Sequence, residues 1–482
     1  MLKLLKKSNY LIFFVMFIYG VMSSLFAENL SAKSFNLSKK NIESANSKKD
    51  LSSRFDSKKE YTLDELLRLA WMRNPMIKTA MHQLESLKAR KDEVFWLSWW
   101  PQGTLVALIA PSPPSRGGVL KTTTPIPSSY TDLSKYGVLT RFEMNVIWPL
   151  YTFGKLSFLR QAAKKGIKVG ESNIRLAKSK IAILLKKVYY GLQKAESALI
   201  LLEEAEDYLK DARKKVKAKT DKLKLAVIEA ELKSRKVQAL MGKRLALSAL
   251  ARLVGFPTKK PLKLAESELE EIEVVKLSLK DYQAMSRRYR PELRLLKDAV
   301  EAKRFILKAH QRLWTPDLFI GGYIRHAYSN VADDQTNPFV RDDFNFLEGG
   351  LALGLRFSFD FPIKLARARR ASADFSTFQS RHQLAKLAIK MDVERRYREL
   401  RSAQMLVKIQ RAGRKAANQW ISRTMMAYSS GLTELKEVTE ALMAVAKSRF
   451  GYIESLYQLN LSVAHLSRAV GRDISKLKKK NK

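Results

Sequence analysis

The sequence predicts a mainly α-helical chain with a membrane β-sheet, in which long coiled-coil hairpins join four short strands and the plan is laid down twice. Three observations lead there. Landmarks recur at a near-constant offset, a long proline-free stretch carries a heptad pattern, and segments beside the helices alternate apolar with polar residues.

The chain opens with MLKLLKKSNYLIFFVMFIYGVMSSLFA: three lysines, an apolar run from Tyr10 to Met22, then small residues up to Ala27. That order predicts a secretory signal peptide over 1–27. An uncleaved anchor helix is the alternative, for which the run is short. Residues 28–60 are rich in Ser, Lys and Asn and low in large apolar groups, which predicts a flexible leader with little to pack.

From Tyr61 the chain is periodic and doubled. TLDELLRLAWMRNP (Thr62 to Pro75) matches SLKDYQAMSRRYRP (Ser278 to Pro291) at an offset of 216 residues. WWPQ matches WTPD, VIWPL matches FDFPI, and ALARLVG, ending at Gly255, matches HLSRAVG, ending at Gly471, all within three residues of that offset. Two repeats follow, 61–265 and 266–482, each a helix, an extended region and a long helical hairpin.

The extended regions are expected at about 102–110 and 137–150 in the first repeat, and 317–328 and 346–361 in the second. In LALGLRFSFDF (351–361) the odd positions are Leu or Phe and the even ones Ala, Gly, Arg, Ser and Asp. Val138, Phe142, Met144, Val146 and Trp148 alternate with Leu139, Arg141, Glu143, Asn145 and Ile147. A period of two suits a half-buried sheet in water or a barrel wall between lipid and a wet lumen. Arg141, Glu143, Arg356 and Asp360 fall on the polar side as candidate lumen residues, or as ion pairs that hold register. Trp96, Trp99, Trp100, Trp148 and Trp314 stand at strand ends, where an interfacial belt belongs. Four strands cannot close a barrel and open edges are not tolerated in lipid, so several copies must share one; three copies give twelve strands.

The hairpins are expected over 155–255 and 364–471. Ile174, Ile181, Val188, Ala195, Leu202, Leu209 and Val216 form one heptad row, with Ala177, Leu184, Gly191, Ala198, Ala205 and Ala212 as its partner row. A helix from Lys155 to Thr220 would run roughly 100 Å. Turns are placed at Thr220-Asp221 and at Gly431.

Together YTLDELLRLAWMRNP, VIWPLYTFGK, SSGLTELKEVTEAL and the LARLVG/LSRAVG endings resemble the TolC-like outer-membrane efflux proteins from Tyr61 to about Asp473. The resemblance implies a homotrimer with a shared twelve-stranded barrel in outer-membrane lipid and a helical tunnel through the periplasm. It also implies docking onto a periplasmic adaptor and an inner-membrane pump, in efflux or one-step secretion. Carried over, it makes Thr220, Asp221, Gly431, Thr433 and Glu434 candidates for the periplasmic aperture; ordinary exposed turn residues are the alternative. Thr220 stands where the family usually has Gly.

Lys and Arg number 89 against 47 acids, a net charge of +42, and there is no cysteine. Such a charge fits nucleic acid, anionic lipid or a solvated lysine surface, and export argues against the first. The five histidines show no ligand spacing, and neither a phosphate-cradling GxxxxGK nor a GxSxG elbow occurs. No enzymatic role and no cofactor are expected. A non-conducting coiled-coil tether of the envelope is the alternative function.

Overall fold

The computed structural model describes residues 59–114, 133–215, 219–256, 262–265, 268–275, 277–332, 334, 339 and 341–477. The expected signal peptide and nearly all of the expected leader lie outside them. One compact unit, Met1–Tyr61 with Lys259–Ala265, is described through β1 (Glu60–Tyr61) paired in parallel with β4 (Lys263–Leu264). The other, Thr62–Thr258 with Glu266–Lys482, holds every described helix and the main sheet.

That second unit is assembled from two equivalent sets. The first is α1 (Leu63–Arg73), α2 (Pro75–Trp99), β2 (Gln102–Ser112), β3 (Gly137–Tyr151), α3 (Lys155–Lys215) and α4 (Lys219–Val254). The second is α5 (Leu279–Tyr289), α6 (Pro291–Gln311), β5 (Asp317–Ser329), β6 (Phe346–Arg356), α7 (Phe361–Ser429) and α8 (Leu435–Val470). Local chemistry explains the match. Thr62 and Ser278 both form capping boxes, with Glu65 and Asp281 three residues on. Pro75 and Pro291 both open a helix at its first turn, where a missing N–H costs nothing. Helices α4 and α8 both end on a left-handed glycine, Gly255 (φ 77°) and Gly471 (φ 81°).

The two glycines are not equally confined. A Cβ on Gly471 would lie 2.7 Å from the Tyr289 backbone, whereas one on Gly255 would meet only the Arg73 side chain at 3.3 Å. Gly471→Ala is therefore expected to cost about 2 kcal/mol or more and Gly255→Ala about 1 kcal/mol. Paired denaturant titrations check the order; equal losses would contradict it.

In the helical layer α3 packs against α4 on one side and α8 on the other, and α8 packs against α7. Nearer the sheet α2, α3, α6 and α7 follow in the same way. Ile181, Ala195, Leu202 and Leu209 of the expected heptad row are buried, but Leu184 is exposed. Leu185, Tyr189 and Leu192 are buried in its place. A helix flanked by two neighbours buries more than one heptad seam, which is why the simple two-row expectation fails there.

The strands form one antiparallel sheet in the order β2-β3-β5-β6, with a register shift at Pro149, which has no N–H to give the ladder. The fourth strand is shorter than expected: β6 stops at Arg356, and Phe361 already begins α7 with Pro362 in its first turn. Among the described residues, no helix is long and apolar enough to cross a membrane.

Candidate functional site

Register sorts the strand residues into two faces. One carries Leu105, Ile109, Met144, Trp148, Ile320, Ile324 and the leucines Leu347, Leu351, Leu353 and Leu355. Those four leucines are 65–86% exposed. A contiguous apolar face this bare demands a cover. His326 also lies on it, its Nδ1 3.0 Å from the Phe346 carbonyl oxygen.

The opposite face carries charge. Arg141 Nη2 lies 2.9 Å from Glu143 Oε1. Glu143 stands directly opposite Arg325, and Arg325 opposite Glu348. Glu348 Oε1 receives Arg325 Nη1 at 3.5 Å and Arg341 Nη2 at 3.3 Å. A lateral belt of alternating sign thus crosses three strands. Sequence reasoning found Arg141 and Glu143 but missed Arg325 and Glu348, which the alternation of Tyr323 and Arg325 with Ile324 and His326 could have revealed. On β2 this face is apolar, with Val106 and Leu108.

Aromatic rings fill the rest. Phe319 leans over Gly354, where a Cβ would come within 2.9 Å of the ring, and Tyr323 over Gly350, where it would come within 3.0 Å. Arg356, opposite Asp317, sits 5.9 Å above the Phe319 ring. Asp317 is paired with Lys155 at 2.8 Å. Asp360 departs from expectation: it is the N-cap position of α7, beyond the strand, and its partner is Lys364 at 3.3 Å rather than Arg356. The Ser358 hydroxyl, then Lys364, hold its carboxyl below the ordinary range.

The tryptophans gather where strands meet helices. Trp99 ends α2, Trp100 caps it, Trp148 lies near the end of β3 and Trp314 just before β5. Trp314 stacks on Phe361, centroids 5.5 Å apart, and Tyr151 packs edge-on against Phe153 at 4.8 Å. Trp96, Trp99 and Phe359 are well exposed.

The hairpin ends differ from each other. Thr220 and Asp221 do not form a turn; both stand inside α4, while residues 216–218 lie outside the described residues. The sequence around them is lysine-rich and holds no Gly that could mark a turn. The second turn is where expected. Gly431 has φ 73°, Leu432 N–H reaches Ala427 O at 2.9 Å, and Thr433 Oγ1 donates to Glu437 Oε2 at 2.6 Å. Glu434 is the N-cap position of α8 and is exposed. Among the described residues no three His, Asp or Glu side chains converge as a metal site requires.

No family model matches the chain, and no curated protein matches it in sequence. Solved structures do match. The CmeC outer membrane channel of Campylobacter jejuni aligns over 86% of this chain and 87% of its own at a TM-score of 0.67 and 14% identity. The open-state MtrE outer membrane channel of Neisseria gonorrhoeae aligns over 86% and 89%, at 0.67 and 15%. A membrane protein from Pseudomonas aeruginosa aligns over 85% and 93%, at 0.67 and 15%. The fold is that of TolC-like outer-membrane efflux channels: long helices joined to a strand-built barrel segment.

Proposed function

We propose that the chain is an outer-membrane exit duct, a homotrimer whose shared barrel and helical tunnel passively conduct solutes or polypeptides delivered by a periplasmic adaptor and an inner-membrane pump. The observation that carries this reading is a pair of unfinished edges. In the sheet, β2 and β6 each have one bare ladder edge. In the helical layer, the outermost helices α4 and α7 display exposed apolar residues at heptad-like spacing. These are Leu223, Val227, Val237 and Met241 on α4, and Ile409 and Trp420 with Gly413 between them on α7. A second copy satisfies both edges at once, strand to strand and seam to seam. Twelve strands from three copies make a closed barrel.

The leucine face then meets lipid, the Arg141–Glu143–Arg325–Glu348 belt and Arg356 line the lumen, and the Trp99, Trp100, Trp148 and Trp314 cluster marks the membrane interface. Residues of this kind conduct rather than catalyse. A non-conducting tether has no use for a sheet that is apolar on one face and charged on the other.

Purified protein in planar bilayers tests the reading: discrete conductance steps from trimers support it, and a monomer without conductance sinks it. Asp221 and Glu434, with Thr220, Gly431 and Thr433 around them, are proposed to narrow the periplasmic aperture. Alanine at Asp221 or Glu434 is expected to raise single-channel conductance roughly twofold. Unchanged conductance would assign both to ordinary solvated helix ends.

A further inference from the structure

Helix α7 carries six cations between 400 and 433 and not one acid: the nearest carboxylates in the sequence are Glu399 and Glu434. Elsewhere the long helices neutralise themselves through ion pairs such as Lys236–Glu206 and Lys243–Glu196. Here Lys408, Arg411, Lys415, Asn418, Gln419 and Ser422 line a shallow open groove along one face of α7. Arg414 and Arg423 flank it, the former with its guanidinium 4.2 Å from the Tyr452 ring centre. Neither Lys408, Arg414, Lys415 nor Arg423 has a carboxylate within reach among the described residues. Asn418 Oδ1 is buried without a donor.

The chain itself shows what this surface accepts. Residues 268–275, ELEEIEVV, form an extended acidic strap across the helices. Two buried amides hold it by its backbone. Gln193 Nε2 donates to Glu268 O at 3.0 Å, and Asn460 donates to Glu270 O at 2.7 Å while accepting from Ile272 N at 3.2 Å. From that strap the Glu271 carboxylate reaches Arg411. One acidic segment therefore already occupies one end of the cationic stripe, and the remaining cations continue beyond it unanswered.

We propose that the α7 groove from Lys408 to Arg423 is a docking surface for an acidic segment of a partner protein, laid beside the strap. The proposal rests on the duct reading for its setting, since a periplasm-facing helix surface is what would meet such a partner. Charge complementarity supplies the attraction, the ring of Tyr452 keeps Arg414 extended, and Asn418 Oδ1 takes a backbone N–H, which a peptide has and a phosphate or glycan carboxylate does not.

Two measurements on the full-length protein test it. A labelled peptide of sequence ELEEIEVV is expected to bind at least about tenfold more tightly than its Glu-to-Gln version, and to lose that advantage in the K408E/K415E/R423E variant. Equal binding of the two peptides, or no effect of charge reversal, overturns the proposal. In cells, a photo-crosslinker at Gln419 or Ser422 is expected to join an acidic peptide of another protein, as read by mass spectrometry. Adducts with cell-wall peptide, with a second copy of this chain, or with nothing overturn it as well. Conductance of the same preparation separates the failures, because a conducting trimer without acidic adducts refutes only the docking surface.

Discussion

Arginine in place of Leu353 is expected to remove the chain from the outer-membrane fraction. Leu353 lies mid-strand on β6, opposite Ile320, and is 68% exposed on the apolar face. A cation at the midplane of a barrel's lipid face costs about 2–4 kcal/mol. The proposed trimer would present the charge three times, for a total of roughly 6–12 kcal/mol, comparable to the whole stability of many folded domains. The neighbouring residue supplies the control. Ala352 stands opposite Gly321 on the polar face, so Ala352→Arg points at water and should leave insertion intact while altering conductance. Cell fractionation and heat-modifiable mobility on gels read the outcome. If both variants insert like the parent protein, the leucine face does not meet lipid. A half-buried sheet in water makes a different prediction, because Leu353→Arg would then improve solubility.

The contrast between adjacent residues shows how far a period of two can be trusted. From Leu351 to Leu355 the alternation assigns each residue to the face that the register gives it. It then misleads, because Phe357, Phe359 and Phe361 continue the rhythm after the backbone has left the sheet. Those rings cluster at the strand–helix junction, Phe357 on Phe359 at 5.2 Å and Phe359 on Phe361 at 6.0 Å. Aromatic residues gathered at one depth can imitate a strand, and Pro362 at a helix start was the local signal against it. Asp360 was assigned to the lumen for the same reason and belongs to the helix instead.

Spacing between repeats was a firmer guide, since it compares the chain with itself. The capping boxes, helix-opening prolines and terminal glycines all fall where the duplicated landmarks put them. What the duplication could not show is how one repeat's chemistry replaces the other's. At the belt, Arg325 and Glu348 pair across strands, a relation fixed only by register. At the first hairpin end, Lys and Arg dominate from Lys210 to Lys224, so composition gave no mark that Thr220 and Asp221 belong to a helix.

One such replacement carries the second large effect. Asn74 and Arg290 are equivalent by the 216-residue offset, and both reach the last turn of the returning helix of their repeat. Asn74 Nδ2 donates to Leu253 O at 3.1 Å, and Arg290 Nη1 donates to Ala469 O at 3.2 Å. Asn74 also caps its own helix by accepting from Met76 N at 3.0 Å; Arg290 makes no such cap. Instead it is nearly buried and holds Asp392 at 2.8 Å and Glu292 at 3.3 Å. Arg290→Ala removes the shared cation from two carboxylates and a carbonyl, and is expected to cost about 3–5 kcal/mol. Arg290→Asn transplants the first repeat's solution: the carbonyl regains a donor and α6 gains a cap, so about 1–2 kcal/mol of that loss should return. Combining Arg290→Ala with Asp392→Ala should also be milder than the sum of the two, by about 1 kcal/mol or more, since one of the two acids that lose the cation is gone as well. Thermal unfolding of the parent, the three single variants and the double variant decides. Should Asn prove as damaging as Ala, the two repeats share a backbone plan but not an interchangeable joint, and the ion cluster that ties Arg290 to α6 and α7 outweighs its bond to the α8 carbonyl.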